Sequence, residues 1–273
     1  MRRTLRKLLP KRLRLALRSA YSFVMDAIDE LTGRKGELAP PRRLTSFYGG
    51  GFEPKVLSAT LKLGSLKPNE KVLDVGCGLG RAAIQFSKHL GKTGRYEGFD
   101  IVAPAIEWCQ SNITPRYPNF HFKFADILNK DYNPNGKWKA SRYRFPYEND
   151  SFDFVFLNSV FTHMLPPDMI NYFGEIARVL KKDGRCLITF FLQNKESLEN
   201  FNTKKSTMDF KYELDGYRTI NPDVPENAVC YDEQLILAQF DKCGMKVKKV
   251  YYGSWSGRKD YLSYQDIVIA TKK

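Results

Sequence analysis

At 273 residues, with 42% hydrophobic and 14% aromatic content, the chain is long enough for one sizeable domain with appendages or two small ones, which excludes a disordered or fibrous protein. No apolar run reaches the roughly eighteen residues of a bilayer span, and the five cysteines (Cys77, Cys109, Cys186, Cys230, Cys243) form no Cys-x-x-Cys pair, arguing against a disulfide framework or zinc site and for a reducing cytoplasm. Of the formal charge of +14, a surplus of eight falls in residues 1–50, so the remaining 223 residues are only mildly basic.

The first predicted element is a basic leader over residues 1–31. "MRRTLRKLLPKRLRLALR" holds eight Lys/Arg and no acid, and Leu13, Leu17, Ala20, Val24 and Ile28 recur at helical steps, predicting an amphipathic helix after Pro10. Arginines interrupt every candidate secretory core. Three readings stay open: a transit peptide, a helix packed on the domain, and the preferred one, a helix lying on an anionic membrane face, which makes the protein cytoplasmic and peripheral. Residues 32–47, containing "TGRKGELAPPRR", read as a linker to a domain over residues 48–273.

From Lys71 onward, short apolar runs alternate with helical patterns, predicting an α/β fold with helices on both faces of a seven-stranded, mostly parallel, Rossmann-like sheet. The strands fall at 71–76, 95–101, 120–126, 152–159, 185–191, 246–252 and 265–271, and the helices at 81–90, 104–112, 167–180 and 232–243. Only the irregular "GSWSGRKDYLS" separates the last two strands, so the last strand is expected to run antiparallel.

The first strand ends in "VLDVGCGLGRAA", Val72 to Ala83. A dinucleotide fingerprint places its third glycine at position 81, but that residue is Arg81 and the glycine comes one place early, at Gly80. Gly76, Gly78 and Gly80 still permit tight turns and close approach of a ligand to the backbone. Asp74 puts a carboxylate beside that loop, where a cationic ligand is better matched than a phosphate. Asp100 ends the second strand, where an acid accepts ribose hydroxyls, and Asp126 ends the third, as an acceptor for an exocyclic amine. A cationic, ribose-bearing, amine-bearing ligand describes S-adenosyl-L-methionine. A turn-capping role for Asp74 and a solvated strand end for Asp126 compete with this assignment.

On these residues, together with "FPYENDSFDFVFLNSVFTHM" (Phe145 to Met164) and "EIARVLKKDGRCLITFF" (Glu175 to Phe191), the segment from Tyr48 resembles class I S-adenosylmethionine-dependent methyltransferases, particularly the small-molecule and sugar O-methylating branch. The resemblance implies that the Asp74–Gly80 loop, including Cys77, holds the methionine part, with the backbone near Gly76 and Asn158 meeting its ammonium. It further implies that Asp100 takes the ribose and Ile101 packs on adenine, whose edge and face meet Asp126 and Ile127.

Methyl transfer relies chiefly on positioning, and an alcohol acceptor gains from a base. His163, leaving the fourth strand at the sheet's carboxyl edge, is the candidate; a histidine packed against the cofactor wall is the alternative. His89 and His121 are poorly placed, and three scattered histidines leave no material for a metal centre. Two insertions, 129–144 and 192–231, are expected to form the acceptor side, with Tyr143, Tyr217, Tyr231 and Trp255, beside Trp138, offering flat rings to a sugar or aromatic acceptor. The expected partners are a small-molecule or glycan acceptor and an anionic membrane surface. The runner-up is an RNA or DNA methyltransferase, weakened because the charge sits in the leader and Asn158 is not followed by Pro-Pro-aromatic. A noncatalytic cofactor-binding scaffold is the third reading.

Overall fold

The structure, a computed structural model, describes residues 11–32, 38–45, 57 and 61–273. The first ten leader residues, much of the expected linker and the expected entry to the domain at residue 48 lie outside the described residues.

Helix α1 (Lys11–Thr32) and the short α2 (Arg42–Thr45) precede the main sheet. The sheet begins with β1 (Lys71–Val75), α3 (Arg81–Phe86), β2 (Arg95–Asp100), α4 (Ala103–Asn112), β3 (Phe120–Phe124), β4 (Phe152–Leu157), α5 (Pro166–Val179) and β5 (Leu180–Phe190). Residues 192–232 supply β6 (Leu192–Gln193), α6 (Lys195–Asn202), β7 (Tyr212–Leu214), β8 (Tyr217–Thr219) and β9 (Val229–Asp232). The chain closes with α7 (Glu233–Lys242), β10 (Met245–Tyr251) and β11 (Asp266–Lys272).

The seven-stranded sheet has the order β10-β11-β5-β4-β1-β2-β3. Strands β1 to β5 are parallel where they pair, and β11 is antiparallel to both β5 and β10, as the missing crossover predicted. Both faces are covered, which is why β4 is apolar and buried from Phe154 to Leu157. Along β1, Leu73 and Val75 pack with Phe99, Val155 and Phe173 on one face, and Val72 packs with Phe86, Tyr96 and Phe154 on the other. From β1 the chain moves outward to β2 and β3, then returns to the other side of β1 for β4 and β5. The strand order therefore reverses at β1/β4, opening a crevice beyond their carboxyl ends.

The second insertion is more ordered than its composition predicts. It folds into a four-stranded sheet of order β6-β9-β8-β7. The signal was the Asp215-Gly216 pair between two tyrosine-bearing strands: Gly216 lies at φ 79°, the left-handed conformation a two-residue hairpin turn requires. The connection from β10 to β11 is pinned to this layer by buried Asp266, which accepts hydrogen bonds from Leu192 N, Gly253 N and Trp255 Nε1, each at 2.7 Å.

Candidate cofactor and acceptor site

The glycine loop has the strain its spacing implies. Gly76, Gly78 and Gly80 lie at φ 75°, 51° and 67°, the region where a side chain is disfavoured. The loop is also tightly backed: a Cβ at Gly76 meets Val160 Cγ2 at 2.5 Å, and one at Gly80 meets Ile113 Cδ1 at 2.3 Å. Gly76 N and Cys77 N both donate to Phe99 O, fastening the loop to β2 at 2.9 and 3.1 Å. The result is a floor of bare backbone at the topological switch point.

Asp100 joins that floor to the next strand end. Its Oδ2 accepts from Gly78 N at 2.8 Å and its Oδ1 from Val102 N at 2.9 Å, so one carboxylate fixes both the loop and the entry to α4. Asp126, half-buried at the third strand end, accepts from Asn133 Nδ2 at 3.2 Å. Half-buried Asn158 follows β4 beside the loop and precedes Ser159 at φ 57°, a strained turn held by Thr189 Oγ1 at 2.8 Å and Gln265 Oε1 at 2.9 Å. Ile101 packs on the loop's neighbours.

Asp74 is placed differently from the sequence-based expectation. It is 1% exposed and lies under the loop, accepting the Tyr96 hydroxyl at 2.5 Å. Burial raises its carboxyl to about 7, the Tyr96 hydrogen bond opposing and nearby Asp100 adding to the rise. Asp74 thus supports the floor from beneath. Cys77 likewise turns its buried side chain to the core, against Gly98, so its thiol is not part of a ligand-facing surface. Ile127 is also core.

His163 sits in a single 3-10 turn after β4. Its Nδ1 lies 2.9 Å from the Glu226 carbonyl, an acceptor, which fixes the proton on Nδ1 and leaves Nε2 with a lone pair. Burial lowers its pKa below the usual 6.5, against smaller opposing effects from the Glu226 carbonyl, Asp131 and the Asn227 backbone, which favours the neutral ring. Tyr132 meets the His163 ring edge to face at 6.4 Å and packs at the other side with Leu79, Val102 and Ala105. Through Tyr132, the histidine and the glycine loop share one rim.

The four aromatics expected to contact acceptor divide. Tyr231 is fully buried, its hydroxyl donating to Met164 O at 2.6 Å, so it anchors the turn carrying His163 instead of facing an acceptor. Trp255, 3% exposed, is core to a cluster with Phe191 and Phe210. Both are corrected to structural roles: their rings fill the space between the two sheets. Tyr143 and Tyr217 remain half-buried on the edge of the main core, and Trp138 is exposed. Sequence reasoning missed Tyr132, Leu79, Val102 and Leu44, which pack together against the glycine loop. Tyr132 lay within an insertion already marked for its aromatics, whereas Leu44 in "PRRLT" carried no signal. Among the described residues no cluster of three or more His, Cys, Asp or Glu is gathered for a metal.

The arrangement fits S-adenosyl-L-methionine on structural grounds: a left-handed glycine backbone packed tightly from behind at the topological switch point, and the Asp100 and Asp126 carboxylates at successive strand ends. Comparison with known proteins agrees. The family described as "Methyltransferase domain" matches residues 66–228. The chain is 23% identical over 142 residues to the 2-phytyl-1,4-naphtoquinone methyltransferase of Trichormus variabilis, covering 52% of this chain and 56% of that protein. It is 25% identical over 132 residues to the demethylmenaquinone methyltransferase of Lysinibacillus sphaericus, covering 48% of this chain and 49% of that one. The matches thus span about half the length of these curated relatives. Among solved structures, the Burkholderia thailandensis 1,6-didemethyltoxoflavin-N1-methyltransferase with bound S-adenosylhomocysteine shares the fold at TM-score 0.51 and 17% identity, covering 97% of this chain and 91% of that one. A SAM-dependent methyltransferase of Aquifex aeolicus does so at 0.51 and 20%, covering 86% and 95%.

Proposed function

Because the chain belongs to the methyltransferase domain family, we propose that it is an S-adenosyl-L-methionine-dependent enzyme that methylates a hydroxyl of a small acceptor, such as a glycan or glycolipid precursor, near a membrane surface. The cofactor supplies a methyl group already activated on a cationic sulfur. The chain's residues hold and orient: Gly76, Gly78 and Gly80 let it lie against the backbone, Asp100 takes the ribose, and Asp126 takes the adenine edge. Asp74 keeps the floor rigid through Tyr96.

His163 carries the choice of oxygen. With Nδ1–H engaged by the Glu226 carbonyl, Nε2 is available to accept the proton that a hydroxyl loses as it attacks, and burial keeps the ring unprotonated at neutral pH. The single observation supporting this role is the contact chain from His163 through Tyr132 to Leu79 in the glycine loop. Half-buried Tyr143 and Tyr217 and exposed Trp138 offer flat faces to a sugar. The relatives named for naphthoquinone and menaquinone favour a second reading, a quinone-type ring as acceptor. Mass spectrometry of cell extracts incubated with the protein and S-adenosylmethionine distinguishes the two: a gain of CH2 on a saccharide or glycolipid, lost with Asp100→Ala, supports the first. The same gain confined to quinone precursors overturns it in favour of the second.

A further inference from the structure

Over the described side chains of α1, in residues 20–32, the amphipathicity runs in the opposite sense to that of a helix packed on a core. The polar side there faces the chain: Ser22, Asp26 and Asp29 are buried. Asp26 accepts from Arg42 N at 2.6 Å and Arg43 N at 3.2 Å at the start of α2, and Asp29 takes Arg42 Nε at 2.8 Å. Its apolar stripe faces outward, with Tyr21 62%, Val24 58% and Leu31 87% exposed at helical spacing on one side.

The occupant of that stripe is selected by charge. No helix among the described residues is long and apolar enough to cross a membrane. Helix α1 begins with Lys11, Arg12, Arg14 and Arg18, and the sequence before it adds Arg2, Arg3, Arg6 and Lys7. A second copy would bring the same cations against these, whereas an anionic bilayer is apolar beneath a negative surface and matches both features.

The short helix that α1 clasps reaches the glycine loop. Leu44 of α2 packs with Leu79, the residue between Gly78 and Gly80, and with Val102 and Ala105 at the start of α4. Four residues of helix have little stability of their own, so Leu44 is seated on the rim through the ion pairs that clasp α2 to α1. We propose that an anionic lipid surface engages the Tyr21, Val24 and Leu31 stripe and, by holding the α1–α2 clasp in place with Leu44 on the rim, raises the affinity of the crevice for its cofactor. By linkage, bound cofactor strengthens attachment to the membrane equally. The coupling rests on the reading of the crevice as an S-adenosylmethionine site.

The test uses the full chain, equimolar phosphatidylglycerol–phosphatidylcholine vesicles, pure phosphatidylcholine vesicles, and S-adenosylhomocysteine followed by calorimetry. The protein sediments with the anionic vesicles only, and the anionic vesicles lower the Kd for S-adenosylhomocysteine by about fivefold or more. Val24→Asp with Leu31→Asp, both at exposed positions, abolishes sedimentation while leaving lipid-free cofactor affinity unchanged. Leu44→Ser keeps sedimentation and loses the vesicle-dependent shift. Equal binding to both vesicles, an unchanged Kd with anionic lipid, or a dimer that Val24→Asp dissociates overturns the proposal. Absence of S-adenosylhomocysteine binding without lipid instead marks failure of the cofactor assignment itself.

Discussion

Single side chains separate the residues that act from those that support. If His163 accepts the acceptor's proton, His163→Ala lowers kcat by about a hundredfold or more with the Kd for cofactor unchanged, read by steady-state kinetics beside calorimetry. The pH profile gives an independent check. Because burial lowers the His163 pKa, the acid limb of kcat falls below the usual 6.5, and activity is level above it. A limb at or above 6.5 contradicts the neutral-ring account. Trp255 tests the opposite class. Trp255→Phe removes the hydrogen bond to Asp266 and destabilises the fold by about 1–3 kcal/mol, while KM for the acceptor is unchanged, because the ring is core. A raised KM without loss of Tm returns Trp255 to the acceptor wall. The sequence marked both residues as aromatic or titratable groups in the right region. It could not separate wall from core, since burial of Trp255 and Tyr231 arises from contacts between the two sheets.

At the level of elements, the glycine loop is the feature most fully legible in the sequence, because left-handed backbone and close packing each leave a glycine behind. Gly80→Ala forces a Cβ to within 2.3 Å of Ile113 Cδ1 at φ 67°. It is expected to cost about 1–3 kcal/mol of stability and to weaken cofactor binding by roughly tenfold or more, measured by thermal unfolding and calorimetry. Unchanged binding at full stability contradicts the role of the loop as a ligand floor. The seven strands were equally legible: most are buried apolar runs bounded by polar turns, the edge strand β10 being the Lys-rich exception, and the seven predicted spans overlap the observed strands. Strand β5 begins earlier than expected, at Leu180, which pairs with Phe152 ahead of an irregularity containing Asp183 at φ 61°, and pairing with β4 resumes at Arg185. The small sheet was hidden for another reason. Its strands are two to four residues long, too short for a period-two pattern, and their pairing depends on partners up to some forty residues apart.

Across the whole molecule, two buried carboxyls make stability fall as pH rises. Asp74 is raised to about 7 and Asp266 to about 6, both chiefly by burial. A raised carboxyl is protonated in the folded state where the unfolded chain has already lost its proton. Its contribution is therefore full below the unfolded value of 3.8 and is lost as pH climbs to about 7 for Asp74 and about 6 for Asp266. Asp74→Asn, which keeps an acceptor for Tyr96, is expected to flatten the fall in Tm between those limits relative to the parent chain. An unchanged slope contradicts the assigned protonation. The charge asymmetry, with eight of the fourteen surplus positive charges in residues 1–50, was legible at once; the inward turn of Asp26 and Asp29 was not, because it depends on their meeting Arg42 and Arg43. The claim on which the account rests is that strand-end carboxylates and a glycine floor together seat S-adenosylmethionine. Titration calorimetry of the full chain with that compound, beside Asp100→Ala, tests it most directly. One molecule bound per chain, with affinity reduced about a hundredfold or more by the substitution, is the predicted result; no binding, or binding indifferent to Asp100, contradicts it.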